Sequence, residues 1–135
     1  MNPLPKDWRE TAQRIQTEVN AFNYVADLPG EDKWGDIDEG KDCDNFAIGK
    51  LNRLVKAGFP IERLKLATCY IGADGGRAQG EGHAVLVVAA KDDNYVLDNR
   101  RPDVVPVFVL IGEGILLDRI QETGGSHTWI KWIHN

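Results

Sequence analysis

Cys43 stands between two carboxylates in the stretch Asp42-Cys43-Asp44. A thiol attacks as its thiolate, and neighbouring carboxylates oppose that ionisation by like-charge repulsion. A helical pattern starts at Asp42, and a helix N-terminus concentrates partial positive charge and unpaired N–H groups that lower a thiol pKa and can hold an oxyanion. Two distant residues supply partners: His83 opens one apolar, β-branched run, and Asp98 closes the next. If "KDDN" between those runs is a hairpin turn, the start of one strand lies beside the end of the other, and His83 and Asp98 become cross-strand neighbours. The aspartate would then orient and charge-stabilise an imidazole that takes the thiol proton. A single cysteine or histidine is ordinarily a packing residue, and Cys69, inside an alternating strand, is expected to be one. For Cys43, His83 and Asp98 the three placements converge on nucleophilic catalysis. An oxyanion hole would draw on the Cys43 backbone N–H; Trp34 and Asn23 are candidate second donors, although packing and turn roles account for both.

The flanking carboxylates have two readings. Asp42 is a helix N-cap and Asp44 a first-turn charge favoured by the helix dipole. They are also hard oxygen ligands, and a calcium ion held by Asp42 and Asp44 would reverse the local field around the sulfur. Asp36, Asp38 and Glu39 enrich the same region as further ligands or as a general attractor of cations. A zinc site from Cys43, Cys69 and His83 ranks last because it lacks close-spaced ligand pairs. No organic cofactor is expected.

The elements that must position these groups follow from periodicity. Asp7 with Glu10 resembles a capping box, and Trp8, Ala12, Ile15, Val19 and Phe22 recur at helical spacing, which predicts an amphipathic helix. Asp27 to Lys41, with Pro29 and several acids and glycines, predicts an irregular acidic loop. The second helix carries Cys43, Ala47, Leu51 and Leu54 on one face and stops at Gly58 and Pro60. Beyond residue 62 the pattern changes to strand: "RLKLATCYI" (63–71), "HAVLVVAA" (83–90) and "NYVLDN" (94–99) are short, β-branched or aromatic, and bounded by turn residues. The glycine-rich "GADGGRAQGEG" joins the first two. "VPVFVLI" and "TWIKWI" are further strand candidates, and Gly112 to Gly125 is expected to be a connection with some helix. Helices followed by a sheet make an α+β layout, with N-terminal helices packed on an antiparallel β-sheet.

Length and composition bound the rest. A chain of 135 residues with 42% hydrophobic and 27% charged residues is expected to form a single domain over 1–135 with its own core. The net charge of −5 gives no footprint for a nucleic acid, and no apolar run approaches the ~20 residues of a membrane span. "MNPLPKDWRE" lacks an apolar core of signal-peptide length, so a cytoplasmic protein, or one exported by another route, is expected. Cys43 and Cys69 are the two cysteines, and a disulfide between them would require a chance alignment.

"GKDCDNFAIGKLNRLVKAGFPIERLKLATCY", "GHAVLVV" and "YVLDN", with "VNAFNYVADLPGEDKWG" upstream, resemble the bacterial transglutaminase-like cysteine peptidases over roughly residues 19 to 99. The resemblance implies a papain-like, transglutaminase-like core in which Cys43 is the nucleophile, His83 the general base and acid, and Asp98 the group that orients the histidine. It also implies calcium, because residues beside the nucleophile bind calcium in the adhesin-releasing members. The sequence departs from the family in two places. Members usually have Asp-Cys-Glu-Asp and then tyrosine, whereas this chain has Asp42-Cys43-Asp44-Asn45-Phe46; a Trp-x-Thr-Pro stretch before the cysteine is also missing. The implied activity is that of a thiol hydrolase, a cysteine peptidase acting on a protein or peptide through an acyl-thioester, with a cell-surface or cell-wall target among the possibilities. A transglutaminase or glutamine deamidase could use the same three residues, and a non-catalytic cation- or protein-binding module could keep the fold without needing them.

Overall fold

A computed structural model describes residues 2–25, 34–72 and 81–134. The expected acidic loop lies outside the described residues over 26–33, and the glycine-rich loop over 73–80.

Helix α1 spans Trp8–Asn20 and buries Ala12, Ile15 and Val19 at the predicted spacing. Phe22 lies beyond its end and is exposed, so the apolar stripe stops one step earlier than expected. The expected capping box at Asp7 is not formed: Asp7 holds the N-cap position without a side-chain cap, and the Trp8 N–H donates to the Pro5 carbonyl at 3.1 Å. Helix α2 spans Cys43–Lys56 and has a true capping box, in which Asp42 caps the first turn and the Asn45 side chain accepts the Asp42 N–H at 3.1 Å. The chain leaves α2 through Gly58, whose φ of 98° is a left-handed conformation that a glycine adopts without a Cβ penalty, and Pro60 prevents continuation.

The strands are β1 (Leu64–Ile71), β2 (Glu81–Ala89), β3 (Asn94–Leu97), β4 (Val105–Pro106), β5 (Leu116–Gln121) and β6 (Trp129–Lys131). They form one antiparallel sheet in the order β4-β3-β2-β1-β5-β6. The "KDDN" turn closes the β2–β3 hairpin as predicted, with Leu86 opposite Leu97 and Val88 opposite Tyr95.

Two expectations fail in the C-terminal third. "VPVFVLI" is a strand only at Val105 and Pro106; Val107–Gly112 form a short helix, α3. Val107 and Leu110, one turn apart, are buried while Phe108 and Ile111 are exposed, so the working period is helical rather than two. The connection from Gly112 to Gly125 contains strand β5 instead of helix, paired to β1 through a register shift between Thr68 and Cys69.

The sheet is covered on both faces. Ala12, Ile15 and Val19 of α1 and Phe46, Ala47 and Leu54 of α2 pack with Leu64, Leu86, Val88 and Leu97. On the other face Ala67, Cys69, Val85, Val87 and Val96 pack with Val107, Leu110, Ile120 and Trp132. β2 serves both cores by strict alternation, which explains its continuous apolar run. No helix among the described residues is long and apolar enough to cross a membrane.

Candidate active site

The three predicted residues meet where the N-terminus of α2 abuts the start of β2 and the end of β3. His83 Nε2 and Asp98 Oδ1 are 2.6 Å apart, both side chains buried. Continuing the hairpin register sets His83 diagonal to Asp98, not opposite it, and diagonal neighbours are within reach of long side chains. The Ala84 backbone N–H, next to the histidine, donates to Cys43 Sγ at 3.4 Å. Because Nε2 is engaged by Asp98, Nδ1 is the ring nitrogen left for the sulfur. Among the described residues no hydrogen bond joins Sγ to the ring in this resting arrangement; such contacts commonly tighten only when substrate is bound.

Asp98 is held from several sides. Its carboxylate accepts from the Arg100 N–H at 3.0 Å and Arg101 Nε at 3.3 Å, and Arg101 also pairs with Glu113 at 2.6 Å. Gln16 and Asn20 of α1 donate to the Asp98 carbonyl at 2.9 and 3.2 Å, fixing the turn after β3 against that helix. Burial acts to raise the Asp98 pKa, but the His83 hydrogen bond and charge, with the Arg100 and Arg101 donors, outweigh it and hold the group at about 2. It is a carboxylate throughout the neutral range.

Cys43 is half-buried, and its thiol is pushed up to about 12, by burial first and then by Asp42 and Asp44, against a lowering by the Ala84 N–H. The helix N-terminus alone therefore does not activate it. The oxyanion expectation also changes. The Cys43 N–H donates to Asp42 Oδ1 at 2.7 Å, so the cap occupies the donor that an oxyanion would need. Tyr24 Oη donates to the same oxygen at 2.7 Å, and its hydroxyl pKa is raised by burial and by that carboxylate. Trp34 is exposed and stacks edge-on with Trp129.

Asp42, Cys43 and Asp44 are the one cluster of metal-competent side chains among the described residues, with ligand atoms within 4.8 Å of one another. Two carboxylates without an imidazole suit a hard cation such as calcium. Cys69 and His83 lie outside the cluster, which removes the zinc arrangement, and Cys43 and Cys69 are both free thiols. Asp36 also lies outside it: its carboxylate accepts from the Ile37 N–H at 2.5 Å and the Asn52 side chain at 2.6 Å, tying the preceding turn to α2.

Sequence reasoning missed Lys50. It is fully buried, and its Nζ has no hydrogen-bond partner among the described residues. Seven residues, about two turns, separate it from Cys43, so the spacing alone sets both on one face of α2. The field of Asp98 reaches it.

No curated protein matches this chain by sequence. Calcium-bound LapG of Legionella pneumophila is similar in structure, with a TM-score of 0.72 and 20% identity over 92% of this chain and 75% of that one. EGTA-treated LapG of the same organism gives a TM-score of 0.74 and 18% identity over 97% and 70% of the respective chains. At these identities the likeness establishes the fold, a transglutaminase-like one. The family model for the bacterial transglutaminase-like cysteine proteinases matches residues 4–109, a span that includes helices α1 and α2, the β2–β3 hairpin and all three candidate residues. The chain is a member of that family of cysteine proteinases.

Proposed function

We propose that the protein is a thiol hydrolase that cleaves a peptide bond through an acyl-thioester on Cys43. His83 Nδ1 takes the thiol proton as sulfur attacks the carbonyl carbon; the C–N bond breaks as the imidazolium returns that proton to the leaving amine. Water, deprotonated by the same imidazole, then hydrolyses the thioester and releases the acid. Asp98 holds the ring and stabilises its charged form. The observation that carries this reading is the buried 2.6 Å His83–Asp98 pair with the adjacent Ala84 amide on the sulfur.

The acidic cluster belongs to the same proposal. A calcium ion held by Asp42 and Asp44 would supply positive charge beside the sulfur, offsetting the repulsion that keeps the thiol protonated. A calcium-bound and an EGTA-treated form among the similar structures support that assignment. For the Cys43 N–H to serve an oxyanion, the Asp42 carboxylate must move off it.

The experiment is peptide hydrolysis by the wild type, Cys43→Ala and His83→Ala, with capture of the acyl-enzyme by mass spectrometry. Both variants should lose turnover, and only proteins carrying Cys43 should form a covalent adduct. Turnover retained by Cys43→Ala refutes the mechanism.

A further inference from the structure

Two cavities are lined by residues that neighbour the candidate site in the fold. One, of about 330 Å³, contains His83 itself together with Tyr24, Asn99 and Arg100. The other, of about 440 Å³, is lined by Trp34, Thr68, Arg119 and Trp129, and the mechanism above makes no use of it. Its position follows from two independent anchors. Thr68 is the direct cross-strand partner of Ala84, the residue whose N–H touches Cys43 Sγ, and cross-strand partners share a face. Trp34 immediately precedes Gly35, whose carbonyl accepts from the Asn45 side chain at 2.8 Å, and Asn45 lies in the first turn of α2. The Thr68 wall of the aromatic cavity is thus about one strand spacing, ~4.8 Å, from the strand that carries His83, and Arg119 on β5 and Trp129 on β6 lie one and two spacings further along the sheet.

The Trp34 and Trp129 rings meet edge-on at 80° with centroids 6.0 Å apart, and Trp34 keeps 45% of its surface exposed. Arg119 makes no ion pair among the described residues, although Asp118 beside it is bonded to Thr68. Two indole faces with an uncommitted guanidinium at the rim match an apolar side chain whose own backbone carbonyl needs a donor. An extended peptide advances ~3.3 Å per residue, so a chain attacked at Cys43 reaches the Thr68 wall within about two residues and the Trp129 wall, ~14 Å from β2, within about four.

We propose that the Trp34–Trp129 cavity is a specificity subsite that takes an apolar, aromatic-sized side chain two to four residues from the scissile bond, with Arg119 donating to the peptide backbone. This rests on the hydrolase reading for its meaning, but its test does not need turnover. Cys43→Ala protein, labelled with 15N at its indoles, is titrated with the capped peptide acetyl-Gly-Phe-Gly-Gly-amide and with the same peptide carrying Asp in place of Phe. The Trp34 and Trp129 indole resonances should shift saturably with the Phe peptide, while Trp8 stays still. Affinity for the Asp peptide should be at least about tenfold weaker, as expected for losing one well-buried apolar group. Trp129→Ala or, if that variant does not fold, Trp34→Ala should reduce the preference to below about threefold, a gap too small for a buried aromatic side chain. Unmoved Trp34 and Trp129 resonances, or equal shifts by both peptides, overturn the subsite. Saturable Phe-selective shifts in a protein whose wild type cleaves nothing leave the subsite standing and refute the hydrolase instead.

Discussion

Replacing Lys50 by methionine is expected to stabilise the protein at pH 6. Two effects act on the ammonium: burial disfavours its charge, and the Asp98 carboxylate favours it. Burial wins, and the pKa falls from 10.5 to about 7. The unfolded chain therefore binds the proton more tightly than the folded one, so this group opposes folding increasingly as pH falls from 10.5 to about 7, and by a constant amount below that. At ~1.4 kcal/mol per tenfold change the full penalty is on the order of 5 kcal/mol, a large share of a typical domain's ~5–15 kcal/mol. Methionine fills similar volume without a charge, and exchanging buried ionic groups for apolar ones has gained ~1–4 kcal/mol elsewhere, so a gain of about 2–4 kcal/mol is expected at pH 6. The gain should shrink to below about 1 kcal/mol near pH 10, where the folded lysine is neutral and only the unfolded one still binds the proton. Urea unfolding of both proteins at pH 6, 8 and 10, followed by tryptophan fluorescence, measures it. A less stable Lys50→Met at pH 6, or a gap that does not narrow with rising pH, would show that the ammonium is better compensated than its surroundings indicate.

Two more outcomes follow from the site. Asp98→Asn should cost about 2 kcal/mol of stability at pH 7, since the carboxylate's pKa lies at about 2 instead of 3.8. This contribution is present above pH 3.8 and lost as pH falls toward 2, so the variant and wild type should converge in acid; the same change should lower kcat/KM by roughly 10²–10⁴ with the fold intact. Calcium should accelerate iodoacetamide labelling of Cys43 at pH 7.5 by about tenfold or more, because lowering the thiol pKa by one raises the thiolate fraction tenfold where that pKa lies far above the pH. Asp42→Asn with Asp44→Asn should abolish the acceleration; labelling indifferent to calcium in the wild type would count against the cation assignment.

The parts of the molecule that the sequence discloses are those governed by local rules. The Asp42 cap, the helical stripe of α2, its stop at Gly58 and Pro60, and the "KDDN" hairpin each need only neighbours in the chain, and together they bring residues 43, 83 and 98 to one corner. The failures have tertiary causes. Val107–Gly112 is a run of apolar residues too short for periodicity to separate helix from strand, and packing of Val107 and Leu110 beneath the sheet decides it. β5 is masked because the register shift against β1 breaks its alternation. Lys50 has the residue type of a solvated helix position, and only the combined approach of α1 and the sheet buries it. The occupation of the Cys43 N–H by Asp42 is a choice between two acceptors for one donor, which residue types alone do not determine.

The two apolar faces of the sheet have different histories during synthesis. The face beneath α1 and α2 can be covered once β3 has left the ribosome, whereas the opposite face waits for Val107, Leu110, Ile120 and Trp132. A nascent chain that already holds the cysteine, the histidine and the aspartate thus still exposes Val85, Val87 and Val96. At the ~5–20 residues per second of translation that interval is a matter of seconds, and it is the window in which a holdase chaperone has an apolar surface to grip.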